Sequence, residues 1–66
     1  MHRFIVPDMS SPSHVRAVTG AVHGLDAHAE VRADPGRRTV EVRTALTPEV
    51  VAAAIEGAGF SVAHPA

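Results

Sequence analysis

The chain has 66 residues, a formal net charge of −1 and no cysteine. A chain of this length buries only about 60% of its unfolded surface, so an enclosed catalytic cavity is not expected. The absence of net positive charge argues against nucleic acid as a partner, and the absence of cysteine excludes disulfides, zinc–thiolate sites and cysteine nucleophiles. These bounds predict one small domain over residues 1–66 that is not an enzyme and acts through a surface site or an interface.

The sequence also gives an expectation about location. Its first residues lack the apolar core of a signal peptide, and no apolar run approaches the length of a membrane-spanning helix. We therefore expect a cytoplasmic protein without membrane insertion.

The first third of the chain predicts a strand followed by a helix. Residues 4–6 are apolar and precede Pro7-Asp8, which is typical of a short strand before a turn. Ser11 is a favourable N-cap, and Pro12 suits the first helical position because its missing N–H has no helical partner there. Valines then recur at helical spacing until Gly24, a residue type that commonly ends helices. We predict a helix near residues 12–23.

The middle of the chain predicts a β-hairpin. Apolar and charged side chains alternate over residues 29–34 and again over 39–43, which is the two-residue period of half-buried strands. The segment Asp34-Pro35-Gly36-Arg37 between them has the composition of a turn.

A second helix and a last strand follow. Thr47-Pro48-Glu49 repeats the cap and proline that begin a helix, and an acidic residue in the first turn suits the helix dipole. We predict this helix near residues 48–58 and a short strand over residues 60–63.

The resulting order is βαββαβ. Packing both helices on one face of a four-stranded antiparallel sheet gives an α+β sandwich of the ferredoxin-like type. Its usual strand order, 4-1-3-2, places the first strand–helix loop beside the turn after the second helix, so Phe60 is expected near Met9, Ser11 and His14. The residues expected in the core are Val15, Val18, Val22, Val31, Val40, Val42, Val51, Ile55 and Val62.

The pattern resembles the heavy-metal-associated domain family, which includes small copper chaperones and the metal-binding modules of transport ATPases. The resemblance spans nearly the whole chain, and its last segment is similar to the family's A-I-x-x-A-G-[YF] stretch, which closes over the metal loop. It implies a ferredoxin-like fold and a role in metal binding or metal transport. The residues that carry it are Phe4-x-Val6, Asp8-Met9, Val15 and Val18, His23-Gly24-Leu25, the hairpin 29–43, and Ala54-Ile55-Glu56-Gly57-Ala58-Gly59-Phe60.

The family's metal loop has the form M-x-C-x-x-C, and this chain departs from it at both thiol positions. Met9 is retained, while Ser11 and His14 occupy the two cysteine positions. By resemblance the metal-site residues are His14, Ser11 and Met9, although the methionine is usually a packing residue in the family. A serine hydroxyl stays protonated near neutral pH, whereas an imidazole is a good ligand for zinc, copper, nickel or cobalt. The resemblance favours copper as the metal, with zinc, nickel or cobalt as alternatives.

The resemblance also implies a partner, either a metal-transporting P-type ATPase or another metal-handling protein. One imidazole leaves most of the three or four usual ligand positions open. Met9, water or the His14 of a second molecule would fill them, so a monomer or a weak metal-bridged dimer is expected.

The other four histidines are predicted at the end of the molecule opposite the loop. His2 begins the first strand, His23 ends the first helix, His28 opens the second strand and His64 ends the last strand. Period-2 counting places His2 and His64 on the same face of neighbouring strands, where they would meet in a second metal site. The alternative is that all four are ordinary surface histidines near chain ends and a helix C-terminus.

Two alternatives to metal binding remain. In the first, the domain keeps the fold and acts as an interaction or regulatory module without metal. In the second, the backbone amides near Ser11 to Ser13 bind an anion at the start of the first helix. RNA binding is not expected, because the open face of the sheet would carry alternating charges and no aromatic residue on which bases could stack.

Overall fold

The computed structural model describes residues 2–63. In chain order, strand β1 spans His2–Ile5, helix α1 Pro12–Leu25, strand β2 Glu30–Asp34, strand β3 Thr39–Arg43 and helix α2 Pro48–Gly57. The order of these elements confirms the predicted arrangement as far as the second helix. Within the described residues, no helix is long and apolar enough to cross a membrane.

Within residues 2–63 the sheet has three strands in the order β1-β3-β2, and both neighbouring pairs are antiparallel. The fourth strand predicted over residues 60–63 is not shown among these residues. Where the fourth strand was expected, Ala63 forms an isolated bridge to Ile5 on the outer edge of β1, with N–H···O distances of 3.1 and 2.8 Å. Two residues earlier, the Ser61 N–H donates to the carboxylate of Asp8 at 2.9 Å.

The two helices cover one face of the sheet and enclose an apolar core. Six of the predicted core residues are buried, namely Val18, Val22, Val40, Val42, Val51 and Ile55, and the other three, Val15, Val31 and Val62, pack partly buried against them. The core also contains three fully buried residues from the beginning of the chain, Phe4, Val6 and Met9. Burial of these side chains is the main favourable term for folding in such a small chain.

Both helices begin where the sequence predicts. The Ser11 hydroxyl accepts a hydrogen bond from the His14 N–H at 3.4 Å, and the Thr47 hydroxyl accepts one from the Val50 N–H at the same distance, 3.4 Å. Each cap is followed by a proline at the first helical position. The N-cap side chains satisfy amides that have no helical partner, which fixes the direction in which each helix leaves its loop.

The end of α1 differs from the prediction, because Gly24 lies inside the helix and Asp26 is the cap. The Asp26 N–H donates to the Val22 carbonyl at 3.0 Å, and the Asp26 carboxylate accepts from the Thr44 hydroxyl at 2.7 Å and from the His28 N–H at 3.0 Å. These contacts extend the helix beyond the glycine. Helix α2 ends at Gly57, and Ala58 is its C-cap.

The outer face of the sheet is solvent-exposed and charged, as the alternation predicts. Glu30 lies 3.3 Å from Arg32 and 3.9 Å from Arg43, and all three side chains are exposed. Exposed ion pairs of this kind contribute about 0–1 kcal/mol each, so this face is shaped mainly by solvation and not by packing.

The fold predicts a large difference between two aliphatic positions on α2. Ile55 is completely buried, whereas Val50 is 42% exposed. Ile55→Val should lower the free energy of unfolding by about 0.5–1.5 kcal/mol, because it deletes a packed methylene group. Val50→Ala is the control and should change it by less than about 0.5 kcal/mol. Urea denaturation measures both, and equal losses would contradict the position of α2 on the sheet.

Candidate metal site

The β1–α1 loop, residues 6–11, is fixed from both sides. Below it, Val6 and Met9 are completely buried. The Met9 N–H donates to the Val6 carbonyl at 3.0 Å, and the Val6 N–H donates to the carbonyl of Arg38 in the β2–β3 turn at 2.8 Å. The Arg38 guanidinium also donates to the Pro7 carbonyl at 3.2 Å. The loop therefore places Ser10 and Ser11 above the core in a defined backbone path.

The Ser11 side chain serves as the N-cap of α1. Besides accepting the His14 N–H, its oxygen lies 3.0 Å from the Ser13 hydroxyl. A metal ion that used this oxygen would compete with the cap, which contributes about 1 kcal/mol in typical helices. The structure therefore gives Ser11 a structural role at the position predicted as a ligand.

His14 is half-buried at the first turn of α1. Its Nδ1 accepts a hydrogen bond from the Ser10 N–H at 3.2 Å, and its ring stands edge-to-face against Phe60, with centroids 5.5 Å apart and planes at 73°. Such aromatic pairs contribute about 0.5–1.5 kcal/mol beyond the area they bury. The predicted proximity of Phe60 to His14 is confirmed, and this contact fixes one side of the imidazole.

Met9 has the environment of a core residue. None of its surface is exposed, so its sulfur could contact a metal only after the loop had opened. Of the three residues predicted as ligands, His14 alone combines a ligand nitrogen with partial exposure.

Asp8 belongs to the same site, although sequence reasoning did not select it. Its carboxylate accepts the Ser61 N–H at 2.9 Å, so it joins the β1–α1 loop to the segment that contains Phe60. The Ser61 amide, and after it the Ser61 hydroxyl, lower the pKa of Asp8 below its ordinary value of 3.8, with smaller contributions from the charges of His14 and Arg38. The position of Asp8 directly before Met9 was the available sequence signal.

The described residues offer few metal ligands in one place. Among residues 2–63, no group of three or more His, Asp or Glu side chains is arranged to hold a metal ion. His14 with the nearby Asp8 would supply at most two of the usual three or four ligands. Among residues 2–63, histidine and carboxylate side chains alone therefore do not complete a coordination sphere at this loop.

His2, His23 and His28 lie away from the loop. A ring nitrogen of His2, Nε2, lies 2.8 Å from the Leu46 carbonyl, and the corresponding nitrogen of His23 lies 3.0 Å from the Ala29 carbonyl. Because a carbonyl only accepts, both nitrogens carry hydrogen and are occupied as donors. His28 is exposed and donates its backbone N–H to Asp26. His64, the predicted partner of His2, lies outside the described residues.

A cavity of about 330 Å³ lies on the outer face of the sheet and not at the loop. Its charged lining includes Arg3, Arg32 and Arg37 together with Asp34 and Glu41. It is a polar groove between strands, on the face opposite to the helices.

Sequence comparison decides the family. The model of the heavy-metal-associated domain matches residues 3–61. The chain belongs to the heavy-metal-associated domain family. Its structure agrees with that family's ferredoxin-like fold in its two helices and antiparallel sheet.

Several solved structures are similar to this chain over 89% or more of its length. A gold-binding protein is 37% identical, with a TM-score of 0.94 over 98% of this chain and 100% of that one. The copper chaperone Atx1 from Synechocystis PCC6803 is 33% identical, with a TM-score of 0.93 over 96% of this chain and 100% of its own. Atu1203 from Agrobacterium tumefaciens is 32% identical, with a TM-score of 0.83 over 89% and 92% of the two chains. No curated protein matches in sequence.

The contact of Asp8 with Ser61 predicts a specific response to acid. Because the pKa of Asp8 is lowered in the folded state, its charge stabilises the fold above the unfolded pKa, and this stabilisation is lost as pH falls through the folded pKa. Asp8→Asn should therefore reduce the loss of stability between about pH 5 and pH 3. Urea denaturation across that range measures it.

The control for this prediction is Glu49→Gln, which changes an exposed carboxylate in the first turn of α2. Asp26, whose pKa is lowered chiefly by the Thr44 hydroxyl, remains in both variants, so part of the acid dependence should persist. Identical acid profiles for the wild type and Asp8→Asn would contradict the assigned role of Asp8.

Proposed function

We propose that this protein is a small metal-binding protein of the chaperone type, with His14 as its metal ligand. The observation that carries the proposal is that His14 lies half-buried in the first turn of α1, directly after the β1–α1 loop and against Phe60, on a fold that is nearly superimposable on that of the copper chaperone Atx1. Family membership and the similarity to a gold-binding protein support a heavy-metal ion as the cargo.

The donor chemistry of the loop differs from that of a thiolate site. The chain has no cysteine, so a soft two-thiolate Cu(I) site cannot form within one copy. Imidazole nitrogen is a borderline donor that suits Cu(II), Zn(II), Ni(II) or Co(II). We propose that copper remains the physiological metal, and that these divalent ions compete with Cu(I) better than they would at a thiolate site.

The incomplete ligand set suits transfer of the metal to another protein. Ligand exchange requires that a partner reach the metal, and a loop at the end of a sheet gives that access where a strand interior does not. We propose that the remaining ligands come from water, from the Asp8 carboxylate or from a partner, such as a metal-transporting P-type ATPase. A second copy supplying its own His14 would give a weak metal-bridged dimer.

One observation favours the alternative of an interaction module without metal. The Ser11 oxygen and the His14 Nδ1 both accept hydrogen bonds within the loop. A loop whose acceptors are satisfied internally is stable without a bound ion. Such a module would present the surface formed by His14 and Phe60 to a protein partner.

Metal titration separates the two functions. Adding Zn(II) or Cu(I) to the protein should shift the NMR signals of Ser10, Ser13, His14 and Phe60 before those of other residues. His14→Ala should lower the affinity at least tenfold, because it removes the ligand nitrogen. His28→Ala, which removes an exposed histidine outside the loop, is the matched control and should leave affinity unchanged. If no metal produces shifts around His14, the interaction module is the better description.

Met9 provides a second test of the ligand assignment. Because Met9 is completely buried, Met9→Leu should keep the free energy of unfolding within about 1.5 kcal/mol of the wild type and should leave metal affinity unchanged. Met9→Ala should instead cost about 2–5 kcal/mol through the cavity it creates. A Met9→Leu protein of normal stability with tenfold weaker Cu(I) binding would show that the sulfur is a ligand. Calorimetry and denaturation give both quantities.

A further inference from the structure

The two nitrogens of the His14 ring are not equivalent in this structure. Nδ1 accepts a hydrogen bond from the Ser10 N–H at 3.2 Å, so Nδ1 bears the lone pair. A neutral imidazole carries one hydrogen, which must then be on Nε2. The loop therefore selects one tautomer of His14, with Nδ1 bare and Nε2 protonated.

This arrangement is the reverse of that found around most metal-bound histidines whose Nε2 is the ligand. In those sites Nδ1 carries hydrogen and donates it to a carboxylate, a carbonyl or water, which orients the ring. Here a protonated Nδ1 would face the Ser10 N–H, and two donors would oppose each other. Binding of a metal to Nε2 would thus require a tautomer change that places two N–H groups against each other, whereas binding to Nδ1 keeps the tautomer and displaces only the Ser10 N–H.

We infer that metal binds His14 through Nδ1, by taking the place of the Ser10 N–H at that nitrogen. The inference rests on the proposed function and specifies which atom carries it out. In this step the hydrated metal ion loses one water and Nδ1 loses one hydrogen bond. No proton is transferred, because Nε2 keeps its hydrogen throughout.

The position of the metal follows from this choice of nitrogen. The lone pair of Nδ1 points at the Met9–Ser10 peptide, so the ion would lie against the loop backbone. The displaced Ser10 N–H would become free to donate to another ligand of the metal, such as a water or a carboxylate oxygen. The Phe60 contact and the Ser11 cap hold the ring and the first turn of α1 in place during the exchange.

The Ser10 amide is then a competitor of the metal. A net hydrogen bond of ordinary strength corresponds to an affinity loss of about twofold to tenfold. Ser10→Pro removes the competing N–H and should raise the affinity for Zn(II) by that factor. Ser10→Ala keeps the N–H while removing the hydroxyl, and it should bind Zn(II) as the wild type does.

The decisive experiment is NMR of the ¹⁵N-labelled full chain, read at the imidazole nitrogens of His14 before and after addition of Zn(II), a diamagnetic ion. Without metal, the expected spectrum shows hydrogen on Nε2 and a bare Nδ1. With Zn(II), Nδ1 should shift strongly, Nε2 should keep its hydrogen, and the Ser10 amide should lose its hydrogen-bonded shift. The Zn(II) affinity of Ser10→Pro can be compared with that of the wild type only if the two proteins have the same NMR spectrum outside the β1–α1 loop. The wild-type nitrogen signals decide the question without it.

Two results would overturn the inference in distinguishable ways. Zn(II) bound to Nε2, or a metal-free His14 with hydrogen on Nδ1, would refute the choice of nitrogen while leaving the proposed function intact. If neither nitrogen responds to Zn(II) or Cu(I) in the wild type or in Ser10→Pro, the proposed function fails and the inference fails with it.

Discussion

Met9 lies wholly inside the core, and its position determines where the polar groups of the β1–α1 loop can go. A buried thioether between Val6 and the first turn of α1 holds the backbone close to the sheet. The hydroxyl of Ser11 then faces the beginning of the helix, where unpaired N–H groups need acceptors. The amide of Ser10 instead donates to the His14 ring. The cap at Ser11 and the ring contact at His14 are both consequences of this anchoring.

The site combines internally satisfied hydrogen bonds with a side chain that could bind a metal ion. Its hydrogen bonds are largely satisfied, which stabilises a small domain with a thin core. Yet His14 is only half-buried and lies against the Phe60 ring, in a chain that belongs to the heavy-metal-associated domain family. With His14 as the proposed ligand, a metal bound at Nδ1 would replace the hydrogen bond from the Ser10 N–H, which would favour reversible binding of modest affinity. Modest affinity is compatible with delivery to a partner that has a fuller ligand set.

Sequence patterns that act over a few residues predicted much of the fold but only part of the candidate site. The capping serines and threonines, the prolines after them and the alternation in the hairpin act over a few residues, and they predicted both helices and the paired strands β2 and β3 well. The contact of the Ser61 N–H with the Asp8 carboxylate joins residues 53 positions apart, and no local pattern of residues predicts such a contact. The end of α1 was misplaced for a similar reason, since the contact of Asp26 with Thr44 outweighs the ordinary tendency of Gly24 to end a helix. The choice of tautomer at His14 depends on a backbone path that no spacing rule describes.

Arg38 connects the hairpin to the loop in a way that constrains how the chain can change. It adopts a left-handed backbone conformation, with φ of 58°, which costs a non-glycine residue about 1 kcal/mol or more. The Arg38 carbonyl accepts a hydrogen bond from the Val6 N–H, and the Arg38 guanidinium donates one to the Pro7 carbonyl. Lengthening or shortening the turn by one residue would move both groups away together. Surface turns are normally among the most freely varied features of a domain. The length of the β2–β3 turn is instead constrained here, because it affects the geometry around His14, more than twenty residues earlier in the chain.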